Sequence, residues 1–190
     1  MANARKHLEN LIDSAVRLFR RQGYAATGLQ QILAESGAPK GSLYHYFPGG
    51  KEAIGEAAVV RAGELVAATL EALAAKHDAP DAFLRAYFEQ YADWMEESEF
   101  RSGCPIATTL LETAPLSDGI SRAGLAAIEG WVAIIAGVLE RTGAPPEAAS
   151  RDARFVISAL EGALVLARVD RSKEGICEVG ERVVRAVARG

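Results

Sequence analysis

GYAATGLQQILAESGAPKGSLYHYFPGGK, residues 23–51, predicts two short helices joined by a turn that contains glycine. Thr27 followed by Gln30 fits a capping box, in which a hydroxyl and an amide side chain each satisfy a backbone N–H group at a helix start. Gly37 suits a left-handed stop after the first helix, and Pro39 suits the first turn of the second. The segment therefore has the order helix, turn, helix.

The second helix, about residues 40–47, has an apolar side and a polar side. Leu43 and Phe47 are four residues apart and face inward together, which leaves the basic and aromatic side chains toward solvent. This arrangement is typical of a helix-turn-helix, whose second helix lies in the major groove of DNA. So short a helix needs support from its neighbours. An upstream helix at 5–22 supplies it through apolar residues at helical spacing: Leu8, Leu11, Ile12, Ala15, Val16 and Phe19.

The charge distribution favours the same end of the chain as the nucleic-acid contact. The whole chain has a net charge of -4, but residues 1–51 carry seven Lys or Arg against three acids, a net charge of +4. A basic head on an acidic body favours a nucleic-acid partner at the N-terminus. An ordinary solvated face is the alternative. A transit peptide is disfavoured because Glu9 and Asp13 lie in the first helix, and such peptides are poor in acids.

The run GAPKGSLYHYFPGGKEAI, residues 37–54, together with Thr27 resembles the DNA-binding domain of TetR-family one-component repressors. The resemblance covers about residues 8–56. It implies that Thr27 and the start of the first helix of the motif face a phosphate. It implies phosphate contacts for Tyr44 and His45, and a backbone-contacting role for Lys51. The DNA-contacting residues that it implies are Thr27, Lys40, Gly41, Ser42, Tyr44, His45 and Lys51.

The remainder of the chain predicts an all-α protein of about nine helices, since no stretch alternates apolar and polar residues as a strand would. Residues 1–51 are expected to form the helix-turn-helix domain, and 52–190 a ligand-binding and dimerisation domain. Further helices are predicted at 51–76, 81–98, 104–115 and 117–141, and two more begin near Pro146 and Ser172.

Other function classes find little support in the sequence. The two cysteines suit neither a metal motif nor a disulfide framework, and no nucleophile–base arrangement or phosphate-binding glycine loop is visible. The longest apolar run, residues 131–139, is shorter than a membrane span. We expect a cytoplasmic protein with no cofactor, no metal, no catalytic residues and no membrane partner. An enzyme is the competing class, and a DNA binder without a ligand is a second alternative.

Aromatic residues of the predicted helix 81–98, together with Trp131 and the segment 104–115, suit the lining of an apolar pocket. The alternative is that these rings are simply the core. FRSGCPIATTLLETAP, residues 100–115, is similar to the branch of TetR regulators that respond to flavonoids and lincosamide-type drugs, which implies an uncharged aromatic effector. The predicted ligand-binding residues are Tyr87, Phe88, Tyr91, Met95, Cys104, Thr108, Leu111, Trp131 and Ile135. Cys104 is either a small buried hydrophobe or a redox-sensing thiol beside Arg101.

The last two helices are expected to form a homodimer, since the family's C-terminal helices make a four-helix interface. The predicted interface residues are Val156, Leu160, Ala163, Ala167, Val179 and Val183. A monomer would bury these faces internally. A dimer would present two recognition helices to the half-sites of a palindromic operator. Ligand binding would displace the segment 104–115, swing the helix that starts at Lys51 and separate the two heads.

Overall fold

A computed structural model of the chain describes residues 2–187. These residues form nine α-helices and no strand, which confirms the predicted all-α class. The helices are α1 Ala2–Gln22, α2 Leu29–Ser36, α3 Ser42–Tyr46, α4 Gly50–Lys76, α5 Pro80–Glu97, α6 Ala107–Thr113, α7 Asp118–Leu139, α8 Pro146–Asp170 and α9 Glu174–Val187, with a 3-10 turn at Glu140–Thr142 after α7.

Two helices are shorter than predicted. α3 begins at Ser42 because the preceding residues form a turn, which the Ser42 N–H closes on the Pro39 carbonyl at 2.9 Å. α6 begins at Ala107 and ends at Thr113, so it is about two residues shorter at one end and three at the other than the predicted 104–115. Prolines flank it at 105 and 115, where a missing N–H group cannot continue helical bonding.

The described residues divide into two compact units. The head unit comprises the chain up to Leu65 together with Cys104–Ala127, and the body unit comprises Val66–Gly103 together with the chain from Ile128 onward. The predicted domain boundary at residues 51 and 52 lies at the start of α4, inside the head unit.

The core of the head unit forms where α1, α2 and α3 meet the first turns of α4. Its fully buried side chains are large and apolar: Leu11, Leu18, Phe19, Ile32, Leu43 and Ile54. Phe47 is buried as well, so the inward face predicted for the second helix of the motif is confirmed. Gly37 ends α2 with a φ of 63°, the left-handed conformation that the sequence predicts.

α4 and α7 approach closely within the head unit. A Cβ atom on Gly63 would lie 2.7 Å from the Cβ of Ala127, and one on Gly55 would lie 3.0 Å from the Cδ1 of Ile120 on α7. Ser117 caps α7 as predicted: its hydroxyl oxygen accepts from the Ile120 N–H at 3.3 Å. The same hydroxyl donates to the Glu52 carboxylate of α4 at 2.5 Å.

In the body unit, α9 packs against both α5 and α8. The buried side of α5 is aromatic, and a Cβ on Gly180 of α9 would lie 2.8 Å from the side chain of Phe88. Arg85 of α5 joins these helices by an ion pair with Glu181 at 2.7 Å, and Lys173 pairs with Glu96 at 2.6 Å. The apolar faces of α5, α8 and α9 therefore form one core.

One helical segment among the described residues, 118–142, is long and apolar enough to meet the length and composition criteria for a membrane span. Its mean hydropathy is 1.6, and 39% of the most apolar stretch is buried inside the fold. Core helices of soluble proteins meet the same criteria, so a single such segment is weak evidence for a membrane span.

Candidate nucleic-acid interface and effector site

The outer side of the helix-turn-helix carries most of the residues predicted to contact DNA. Lys40, Gly41, Tyr44 and His45 are exposed, and Ser42 is half-buried. Tyr44 is 58% exposed. A side chain at Gly41 would meet only open space, so the backbone at the start of α3 is free to approach a ligand closely. Five predicted residues thus share one accessible segment.

The structure corrects the prediction for Thr27. Its hydroxyl donates to the Gly23 carbonyl at 2.7 Å, and the residue is 0% exposed. Gly28 is the N-cap of α2, and no side chain caps the helix, so the predicted capping box with Gln30 is wrong. The hydroxyl bonds instead to a carbonyl within its own turn. Ser and Thr side chains commonly make such local hydrogen bonds in competition with helix capping. We therefore assign Thr27 to the scaffold and not to the DNA-contacting surface.

Lys51 lies against the turn that precedes α2. Its Nζ donates to the Ala25 carbonyl at 3.1 Å and lies 4.5 Å from the centroid of the Tyr24 ring, a cation–π contact. Burial lowers the pKa of the Lys51 ammonium, and the nearby Glu112 carboxylate acts in the opposite direction. Burial and then the Glu52 carboxylate raise the pKa of the Tyr24 phenol.

α1 and α2 are also joined by polar side chains. Arg17 and Arg21 of α1 both reach the Glu35 carboxylate, at 3.0 and 3.6 Å. Gln22 and Gln31 exchange hydrogen bonds through their amides, at 2.9 and 3.2 Å. These links fix the angle between the support helix and α2, and two basic side chains that contributed to the predicted positive head are thereby partly neutralised.

The predicted effector residues on α5 and α7 are all buried in the body unit. Tyr87, Phe88, Tyr91 and Met95 lie on the inner side of α5, and Trp131 and Ile135 on α7 are buried too. The Tyr87 ring makes an edge contact with the Tyr91 ring at 5.3 Å between centroids, and Tyr91 makes another with Trp94 at 5.2 Å. The rings form a continuous aromatic row.

The other predicted effector residues lie in the head unit. Cys104 is buried, which favours the hydrophobe among its two interpretations, and Thr108 is half-buried. Leu111 is 82% exposed, so its place in an enclosed site is wrong. The inner side of α6 carries Thr109 and Thr113 instead, and the Thr113 hydroxyl donates to the Thr109 carbonyl at 2.6 Å.

A cavity of about 270 Å³ lies elsewhere in the body unit. The start of α5, the end of α7, the first turns of α8 and the end of α9 surround it, and none of the predicted effector residues lines it. Its floor is apolar, with Leu84, Leu139 and Val184, and its rim carries the carboxylates Asp81 and Asp152.

The structure also corrects the predicted dimer interface. Val156, Leu160, Ala163, Ala167 and Val183 are buried within one chain, and Val179 is half-buried. These residues pack where α8 and α9 meet, so they are core residues. A different side of α8 is apolar and exposed; it is formed by Phe155, Leu166 and Val169, with Val165 at its edge. Residues 155, 162, 166 and 169 fall within about 60° of one another on a helix of 3.6 residues per turn.

Sequence reasoning missed several residues of this arrangement. Glu112 contacts the turn before α2, Tyr24 lies in that turn beneath the Lys51 ammonium, and neither belongs to a recognised local motif. The sequence does not single out Leu166, because α8 is apolar on two sides and periodicity alone does not say which side is covered. α8 has more apolar residues than one buried side needs, and this excess is the sequence signal for a second apolar side.

Comparison with known proteins identifies both parts of the chain. Residues 11–58 match the sequence model of bacterial regulatory proteins of the tetR family, and residues 80–182 match that of the C-terminal domain of LmrA/YxaF-like transcriptional regulators. The uncharacterized regulator YxaF of Bacillus subtilis is 32% identical over 92% of each chain. The transcriptional repressor DhaR of a Mycobacterium species is 28% identical over 87% of this chain and 84% of its own.

The fold agrees with these matches. The crystal structure of a TetR transcriptional regulator from Chloroflexus aurantiacus superposes with a TM-score of 0.83 at 26% identity, covering 99% of this chain and 97% of its own. Regulators of this kind bind DNA operators through a helix-turn-helix and are typically dimeric. This chain belongs to the TetR family of transcriptional regulators, with a C-terminal domain of the LmrA/YxaF-like kind, and is a DNA-binding regulator and not an enzyme.

Proposed function

We propose that this regulator is a cytoplasmic repressor that binds a palindromic operator as a homodimer and is released from it by a small, uncharged aromatic ligand. The observation that carries the DNA-binding part is the exposed segment of Lys40, Gly41, Tyr44 and His45 on a head whose interior is fully packed. These side chains have no structural task within the chain's core, and they combine a cation with hydrogen-bonding rings that suit bases and phosphates.

The exposed apolar side of α8 supports dimerisation. Phe155, Leu166 and Val169 form a stripe on one helix, and Gly162 between them allows a facing helix to approach closely. An exposed apolar stripe of this length is uncommon on a monomer surface and marks a contact with another chain. The occupant that we propose is the same stripe of a second copy, related by a two-fold axis.

The aromatic row of α5, with Trp131 on α7, supports an apolar effector. Tyr87 and Tyr91 add hydroxyl groups to this buried aromatic row, which suits a ligand with a few polar atoms on an aromatic body. Binding would move α6 and swing α4, changing the separation of the two heads. A coupling free energy of about 1–3 kcal/mol would change DNA affinity by about 5- to 150-fold.

The test begins with an operator selected by the protein from a random duplex pool. A panel of aromatic compounds, including flavonoids, is then titrated while Trp fluorescence and operator affinity are both recorded. We expect at least one compound to change the fluorescence of Trp94 or Trp131 and weaken operator binding. A ligand-blind DNA binder would select an operator and respond to no compound.

A further inference from the structure

Ala25 lies in the turn between α1 and α2, and both of its backbone polar groups bond to side chains of other helices. The Ala25 N–H donates to the Glu112 carboxylate of α6, and the Ala25 carbonyl accepts from Lys51 Nζ of α4 at 3.1 Å. We call this set of three residues the Ala25 clamp. It joins the turn to residues that lie 26 and 87 positions further along the chain, all within the head unit.

The rest of the turn is closed by its own bonds. The Thr27 N–H donates to the Tyr24 carbonyl at 3.1 Å, the Thr27 hydroxyl donates to Gly23, and Gln22 donates to the Ala26 carbonyl at 3.1 Å. A turn with this many internal bonds moves as one piece. A displacement of Ala25 is therefore passed on to Gly28, the N-cap of α2.

The Glu112 carboxylate fits closely into this turn. Gly23 has a φ of 90°, and a Cβ atom there would overlap the carboxylate.

The negative charge of Glu112 disfavours DNA binding. Its negative charge lies near Lys51, on a face that approaches phosphates, where it lowers the general attraction to DNA. Glu112 therefore has opposite effects on the two kinds of binding. Its charge weakens binding to any duplex, and its hydrogen bond orders the helix-turn-helix.

We propose that Glu112 is a positioning residue for operator recognition: its carboxylate, carried by α6, fixes the turn that sets α2. Operator affinity then depends directly on where α6 lies, through a contact that does not pass along α4. Only the link from an effector to α6 rests on the function proposed above. The contribution of Glu112 to DNA recognition does not depend on any effector.

The test separates the reach of the side chain from its charge. Glu112→Gln keeps the length and a carbonyl acceptor but loses the charge; Glu112→Asp keeps the charge but is one methylene shorter. Glu112→Ala loses both, and Glu71→Ala removes an exposed carboxylate of α4 outside the clamp. Affinities for the selected operator and for a scrambled duplex are measured by fluorescence anisotropy, without any effector.

We expect operator affinity to depend on the length of the side chain at position 112 and not on its charge. The Ala and Asp variants should lose about tenfold in affinity for the operator, while the Gln variant stays within about threefold of the wild type. Affinity for the scrambled duplex should be unchanged or higher in the Ala and Gln variants. Glu71→Ala should leave the ratio of operator to scrambled affinity unchanged.

Operator affinity that follows charge, with Asp like the wild type and Gln like Ala, overturns the proposal, as does an Ala variant with wild-type affinity. The Ala25 amide provides a second readout, because its hydrogen exchange should accelerate in the Ala and Asp variants and not in Gln. Thermal unfolding midpoints within about 4 °C of the wild type exclude general destabilisation. Failure of the wild-type protein to select any operator would instead contradict DNA recognition itself.

Discussion

The Lys51 ammonium lies 4.5 Å from the centroid of the Tyr24 ring while it donates to the neighbouring Ala25 carbonyl. Two of its three N–H donors remain for other partners. Lys51 therefore combines a fixed position with free hydrogen-bonding capacity, which is what a phosphate-contacting lysine needs.

Lys51→Ala is expected to weaken binding to both operator and scrambled duplexes. Loss of one phosphate contact should lower the slope of log affinity against log salt by about one. The measurement is a salt titration of DNA affinity, with Lys76→Ala, at the other end of α4, as the control. An unchanged slope would remove Lys51 from the phosphate contacts.

Lys40→Ala is expected to change preference among operator variants, because a lysine at the start of a recognition helix is placed to contact base edges. One such contact discriminates between bases by about 1–3 kcal/mol. Affinities for a set of single-base operator variants test this. A uniform loss across the set would show that Lys40 contacts the backbone of DNA only.

Thr27→Val is expected to destabilise the head without changing the salt slope of DNA binding. The change leaves the buried Gly23 carbonyl without its hydroxyl donor, which costs about 1–3 kcal/mol in the free energy of unfolding. Chemical denaturation measures the loss, and Thr27→Ser, which keeps the hydroxyl, is the control. Wild-type stability with a lower slope would restore the phosphate contact predicted from the sequence.

Leu166→Glu is expected to separate the dimer and leave the chain folded, because Leu166 is 61% exposed on the apolar stripe of α8. Leu160→Ala should instead lower the free energy of unfolding by about 2–5 kcal/mol, because Leu160 is a core residue of the same helix. Light scattering and circular dichroism distinguish the two effects. A Leu166→Glu protein that stays dimeric would place the interface elsewhere.

Local patterns in the sequence determined most of the fold. The stop at Gly37, the cap at Ser117 and the inward pair Leu43 and Phe47 depend on neighbours within a few residues, and all are confirmed. The hydrogen bond predicted for the Thr27 hydroxyl was wrong because two local bonds competed for that hydroxyl.

The parts that failed depend on which surfaces meet. α8 has apolar residues on two sides, and only the position of α9 decides that Val156 and Leu160 are inside and Leu166 is outside. The bond between Ala25 and Glu112 joins residues 87 positions apart, so no periodicity or local motif indicates it. The DNA-contacting set could be proposed from the family resemblance, and its supporting contacts could not.

Gly63 and Ala127 limit the spacing of α4 and α7, because glycine has only a hydrogen atom where other residues have a Cβ. With alanine at 63, two methyl carbons would stand 2.7 Å apart, and neither has a torsion through which to turn aside. The strain must then be relieved by the helix backbones themselves. Lys51, which holds the turn before α2, lies in the first turn of the same helix, so a one-carbon change about three helical turns away would shift the side chain that holds that turn.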